Sequence, residues 1–282
     1  MSRASCPLPA CPDLPIAEAV WVCVDVETTG LKVGEGHRVC EVGAVKGRLE
    51  GAVEEYAALV NPQRSLDPGA ARVSGLSEAD LADAPLFGAT AGAAHALLEG
   101  AVLVAHNAPF DVGFLEAEFA RAGMRLPPVP IVDTTVFAQV VLGLAARNLA
   151  AVSRALGLAS QPTHRALGDA RATREVLRRG VARLAERGAA TVGDVVEALL
   201  PPIPPALPLG DDPLPILRAA MKTGDDLRIT YVGTRSRGER LVRPIRLEQK
   251  AGAFVLSAWC RERQAPREFR LDRIASAALA IA

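Results

Sequence analysis

Three short runs near the start of the chain alternate apolar and polar positions: "VWVCVDV" from residue 20, "RVCEVGAVKG" from 38 and "EEYAALVNP" from 54. A period of two over turn-bounded runs predicts three antiparallel strands. The unbroken apolar run "AVLVAH" (101–106) predicts a fourth strand. Helical spacing of apolar residues predicts helices over 86–99, 110–122, 134–143, 148–156, 166–187 and 191–199. Strands first, then a strand flanked by helices, describe an α/β domain with a mixed sheet covered by helices.

That pattern stops at "PPIPPALPLGDDPLP" (201–215), where seven of fifteen residues are proline. No helix or central strand tolerates this, so a semi-rigid extended linker is expected over 201–213. Beyond it the pattern predicts a helix at 214–223 and strands near 227–232, 239–247, 253–260 and 267–272, a small β-rich module over 214–282. The proline-rich first seventeen residues lack the apolar core of a signal peptide and read as a disordered tail, leaving 18–200 as the main domain.

Strand alternation sorts the first run by face. Val22, Val24 and Val26 share one side, and Cys23, Asp25 and Glu27 share the other. Two like charges on one face repel, and burial makes each harder to ionise. A cation between them, or an opening to water, would relieve both costs. Two further segments supply matching groups. In "AHNAPFDVGFL" (105–115) a strand gives way to a helix, and Asp111 falls in its first turn beside Asn107 and Phe110. In "PTHRALGDARATREVL" (162–177), His164 precedes a helix that carries Asp169 in its opening turns. The polar stretch "VSGLSEADLADAP" (73–85) reads as a turn that touches substrate. Lone His37 and His95 read as surface residues.

Four carboxylates and one imidazole are what metal-assisted phosphodiester hydrolysis requires. Mg²⁺ or Mn²⁺ prefers oxygen ligands, and a pair of ions clamps the attacking and leaving oxygens. A neutral imidazole accepts a proton near working pH.

With these blocks in hand, "DVETTG", "HNAPFD" and "HRALGD" resemble the three sequence blocks of the DEDDh 3′→5′ exonuclease family. Proofreading subunits of bacterial replicative polymerases, oligoribonuclease and ribonuclease T belong to that family. The resemblance implies a ribonuclease H-like fold and two divalent ions, Mg²⁺ or Mn²⁺, held by Asp25, Glu27 and Asp169. Asp111 would help partly through water, and His164 would be the general base. It also implies that Thr28, Thr29 and Gly30 meet the terminal sugar and phosphate, with Asn107 and Phe110 nearby. The implied partners are single-stranded 3′ ends and a polymerase or repair complex.

Composition changes the picture mainly through the distribution of charge. The chain is neutral overall, yet Asp226 to Arg273 holds twelve basic and six acidic residues, a net of +6, leaving −6 elsewhere. Such a basic end points to a polyanionic partner. The same region, with "RPIRL", "SAWC" and "FRLDRI", resembles a WYL domain, a small Sm/SH3-like β-barrel whose tripeptide corresponds to Phe254, Val255 and Leu256. The resemblance implies a module for nucleic acid or a nucleotide-like ligand. Arg243, Arg246, Arg261, Arg263, Arg267, Arg270 and Arg273 would offer guanidinium forks to phosphate, and Tyr231 and Trp259 stacking faces. Five irregularly spaced cysteines suit a reducing cytoplasm, and no apolar run is long enough for a bilayer. Two other readings stay open at this point: a ligand-responsive regulator using the nuclease fold as a clamp, and an exonuclease specific for RNA.

Overall fold

In the computed structural model, residues 12–202, 212–233 and 237–280 are described. The heart of the expected linker, 203–211, and residues 1–11, which include Cys6 and Cys11, lie outside them. The first sheet is built from β1 (Trp21–Thr28), β2 (Val39–Gly47), β3 (Val53–Leu59), β4 (Val102–Ala105) and β5 (Ile131–Asp133). Its order is β3-β2-β1-β4-β5. The first three strands form an antiparallel meander, whereas β4 and β5 run parallel to β1. A parallel return needs a long crossover. Three helices occupy it: α1 (Pro68–Ser74), α2 (Glu78–Ala82) and α3 (Phe87–Leu98).

After β4 comes α4 (Ala108–Arg121). After β5 come α5 (Thr134–Val136), which continues as a π-helical turn (Phe137–Val141), then α6 (Leu149–Ala155), α7 (Ala166–Ala185) and α8 (Val192–Ala198). The sheet separates two cores in the way β1 alternates. Val22, Val24 and Val26 pack with α3 and α4 residues such as Phe87, Val112 and Phe114, and Trp21 and Cys23 pack with α7 and α8 residues such as Leu177 and Val195.

A second, wholly antiparallel sheet stands where the small barrel was expected. It follows α9 (Leu214–Thr223) and consists of β6 (Leu227–Val232), β7 (Arg237–Lys250), β8 (Ala253–Cys260), β9 (Ala265–Arg270) and β10 (Ile274–Leu279), in the order β10-β6-β7-β8-β9. The two sheets are not separate bodies on a tether. Leu214, Leu217 and Leu227 lie in the same apolar cluster as Trp21 and Val195, and Ile245 and Trp259 lie in the cluster of Val112 and Phe114. Trp259 is fully buried, so it offers no stacking face.

Several elements depart from the sequence expectation. β5 is three residues long and β10 is rich in alanine, too short or too featureless for a period to register. The stretch 73–85 is not a simple turn: it holds the end of α1 and all of α2, whose start is a capping box between Ser77 and Asp80. Residues 12–16, expected within a disordered tail, are anchored instead. Val192 donates to the Leu14 carbonyl at 2.9 Å, Ile16 donates to that of Ala190 at 2.9 Å, and Pro15 bridges Thr191.

Candidate active site

β1 pairs with β4 only through Trp21–Cys23 and then runs on beside β2 alone. The backbone beyond is therefore free on one side, at the carboxyl end of a parallel strand pair, where α/β sheets open their crevices. The Val26 N–H donates to Asp111 Oδ1 at 3.0 Å, which ties the first turn of α4 to the tip of β1. Asp169 is fixed from the other side. Its Oδ1 accepts the Thr163 N–H at 2.8 Å and the His164 N–H at 3.1 Å, folding that loop back over the start of α7.

Two glycines permit this closeness. A Cβ on Gly168 would collide with the Thr163 hydroxyl, and a Cβ on Gly43 of β2 would collide with the backbone of Ala166 and Leu167. His164 itself is exposed and takes a left-handed backbone, φ 54°, which turns it out of the helix line. Asp25, Glu27, Asp111, Asp169 and His164 all line one cavity of about 650 Å³.

The cavity is electrostatically unbalanced. Burial, followed by the charges of Asp111, Asp169 and Glu27, pushes the Asp25 carboxyl well above its usual range. Glu27 is pushed up to about 8, by burial first and then by Asp169 and Glu41, against the pull of Arg165. Burial also raises Asp111 and Asp169, although backbone N–H groups from Val26 and from Thr163 and His164 oppose it. Among the described residues neither Asp25 nor Glu27 has an ion-pair partner, and no three donor side chains stand drawn together as a ready-made metal site. An acidic cluster that lacks a cation and is made entirely of oxygen donors suits hard divalent ions.

Thr28, Gly30 and Phe110 line the cavity as well. Thr29 does not. It is fully buried, its hydroxyl accepting the Arg38 N–H at 3.0 Å and lying 3.2 Å from His37 Nδ1. His37 is correspondingly 6% exposed, not a surface residue, and a Cβ on Gly30 would strike its ring. Asn107 caps α4 from a left-handed backbone, φ 69°, and turns its amide toward the second sheet.

Several participants carried no local signal. Asp67, just before α1, and Pro68 and Val73 of α1 wall the cavity, and His106 lines it with both ring nitrogens engaged, 2.9 Å from Thr134 Oγ1 and 2.8 Å from the Arg147 carbonyl. Buried Glu41 takes a fork of bonds from Arg165 at 2.8–3.2 Å and accepts the Ala166 N–H at 3.1 Å, anchoring the start of α7.

The arginines expected to face a ligand are divided differently. Arg243 is 3% exposed, donates to the carbonyls of Pro127 and Leu126 at 2.9 and 3.0 Å, and sits 3.2 Å from Glu116 of α4. Arg261 bridges Glu116 at 2.6 Å and Asp226 at 2.8 Å. Both are held in the seam between the sheets, so neither presents a fork to solvent. Arg246 donates to Asp133 at 3.0 Å and to Asn107 Oδ1 at 3.1 Å, while Asp133 accepts the Asn107 and Ala108 N–H groups at 3.1 Å each. The second sheet thus buttresses the start of α4. Arg270 pairs with Asp272 at 2.6 Å, Tyr231 packs edge-on against Phe269 at 5.1 Å, and Arg273 has no ion pair among the described residues.

The free cysteines Cys23, Cys40 and Cys260 are buried, and no helix among the described residues is long and apolar enough to cross a membrane.

Known proteins resemble this chain in sequence and fold. The exonuclease family pattern matches residues 22–177, and the WYL domain pattern matches 213–279. A DNA polymerase III subunit epsilon-like protein of Rhodobacter capsulatus is 37% identical over 190 residues, 65% of this chain and 27% of that protein. The DNA polymerase III subunit epsilon of Treponema pallidum is 34% identical over 166 residues, 58% of this chain and 77% of that protein. Exonuclease I of E. coli, solved with a dT13 oligonucleotide, aligns with a TM-score of 0.56 at 15% identity over 85% of this chain and 55% of that one, a likeness of fold. The chain spans less than a third of the length of several of the relatives it matches.

Proposed function

We propose, since this chain belongs to the exonuclease family, that it hydrolyses phosphodiester bonds from 3′ ends of single-stranded DNA, releasing nucleoside monophosphates. The observation that carries the reading is the convergence of Asp25, Glu27, Asp111, Asp169 and His164 on one cavity that no lysine or arginine lines among the described residues. Members of this family generally work with divalent metal ions. Asp25, Glu27 and Asp169 would hold them, with Asp111 assisting, and we favour a pair of Mg²⁺ ions over Mn²⁺. When bound, the ions would neutralise the scissile phosphate and stabilise charge developing on the leaving oxygen.

The chain's own residues supply the rest. His164, exposed at the cavity mouth and tethered by its backbone N–H to Asp169, is free to accept a proton from the attacking water. The Thr28 hydroxyl, which donates to the Gly30 carbonyl at 2.8 Å, holds the turn over which the terminal sugar would lie. Phe110, braced by Phe114 at 4.9 Å between ring centres, offers an apolar face to a base.

Relatives named for DNA polymerase III favour association with a polymerase over a separate repair complex. A 5′-labelled single strand incubated with the protein and Mg²⁺ tests the reading. Stepwise shortening from the 3′ end, abolished by Asp25→Ala, is expected. Internal cleavage, or equal degradation by Asp25→Ala, would overturn it. An RNA strand of the same sequence, run in parallel, decides between DNA and RNA as substrate.

A further inference from the structure

We infer that the second sheet supplies part of the substrate track: a groove between β9 and the turn after β1 receives the strand upstream of the catalytic cavity, with Arg267 and Lys32 on its phosphates. This rests on the exonuclease reading and extends it to a surface that the acids do not touch. A cavity of about 650 Å³ cannot enclose a long strand, so the remainder must leave across an adjoining surface. A second hollow, of about 380 Å³, adjoins it through the shared residues Leu31 and Phe110. Its far wall comes from the other domain, Ala265 to Arg267 of β9.

β9 lies against α4 at Gly113: a Cβ there would sit at ordinary contact distance, 3.8 Å from Pro266 and 4.0 Å from Val33, so only a side chain longer than alanine would press on this wall.

The chemistry of the hollow suits a single strand of nucleic acid. Leu31 is 79% exposed at the junction and Phe110 presents an apolar face, which suits unpaired bases. Arg267 is exposed and has no carboxylate partner among the described residues, unlike Arg243, Arg246, Arg261 and Arg270. Lys32 leans only on exposed Glu35 at 2.7 Å, an ion pair that a phosphate can displace at little cost. The rival exit, past His106 into the cleft between the domains, offers one exposed guanidinium without a carboxylate partner among the described residues, Arg147, because its Arg246 is already tied to Asp133 and Glu248. The β9 hollow offers two cations, Arg267 and Lys32, beside its apolar faces.

Binding by the full-length protein on an inactive Asp25→Ala background provides the test, with a fluorescent dinucleotide and decanucleotide of thymidine as probes. The affinity advantage of the longer strand should fall about tenfold in Arg267→Glu. In Arg267→Ala the slope of log affinity against log salt for the longer strand should shrink by about 0.7. Arg147→Glu, on the rival exit, should keep the wild-type advantage. An unchanged advantage in Arg267→Glu, or a loss in Arg147→Glu instead, would overturn the assignment. Because binding is read without turnover, a protein that bound strands along this groove but never shortened them would refute the exonuclease reading alone.

Discussion

Glu27 shows what a bound cation would relieve. Its carboxyl titrates near 8 in the fold against 4.5 ordinarily, so it is a raised acid. Such a group costs nothing while protonated in both states, and it destabilises the fold as pH climbs from its ordinary value through its folded one. Metal-free protein should therefore melt at a lower temperature at pH 8 than at about pH 5, and Mg²⁺ should restore more stability at the higher pH, as a scanning calorimetry series would record. Glu27→Gln should stabilise the metal-free protein by about 1–2 kcal/mol at pH 8 while destroying activity, the trade expected of a functional acid. His164→Ala should lower kcat by about 10²–10⁴ yet keep the stabilisation by Mg²⁺, because the imidazole is assigned to proton transfer and not to the metal. At this scale the positions of the acids and His164, as distinct from their proposed roles, were legible in the sequence, since each sits at a strand tip or a helix start that local pattern locates. It was misleading for Thr29 and His37, whose mutual burial depends on how the turn between β1 and β2 folds back.

Among the elements, α7 and α4 decide where the chemistry occurs. The start of α7 is pressed onto β2 at Gly43 and onto its own preceding loop at Gly168. Gly168→Ala should cost about 1–3 kcal/mol by overpacking and impair turnover. Thr163→Ala, which removes the colliding hydroxyl, should recover much of the loss, so a double-mutant cycle of melting free energies should show positive coupling. Periodicity located both helices. It missed α1, an early wall of the cavity, because seven residues opened by Pro68 and Gly69 carry too little pattern. It also missed the clamps on these helices: Glu41 with Arg165, and Asp133 with Arg246, are separated by more than a hundred residues.

The whole molecule differs most from what a reading of local pattern suggests. A proline-rich break and a basic end describe an independent module on a tether, whereas the structure shares its apolar cores between the sheets and seals the seam with Glu116, Arg243, Arg261 and Asp226. Several of the basic residues behind the +6 charge are thereby neutralised internally, which composition alone does not reveal. Glu116→Ala removes one of the two acids that Arg243 and Arg261 share, leaving Asp226, and should cost about 3 kcal/mol in denaturant unfolding. Both sheets should unfold in one cooperative transition, because neither core is complete without the other. All of this positions one feature, four carboxylates from β1, α4 and α7 on one cavity, which we propose as the seat of divalent cations. Anomalous diffraction from a crystal soaked in Mn²⁺ tests it most directly. The account predicts a strong peak among Asp25, Glu27 and Asp169 that disappears in Asp25→Asn; manganese bound elsewhere, with that cavity empty, would contradict it.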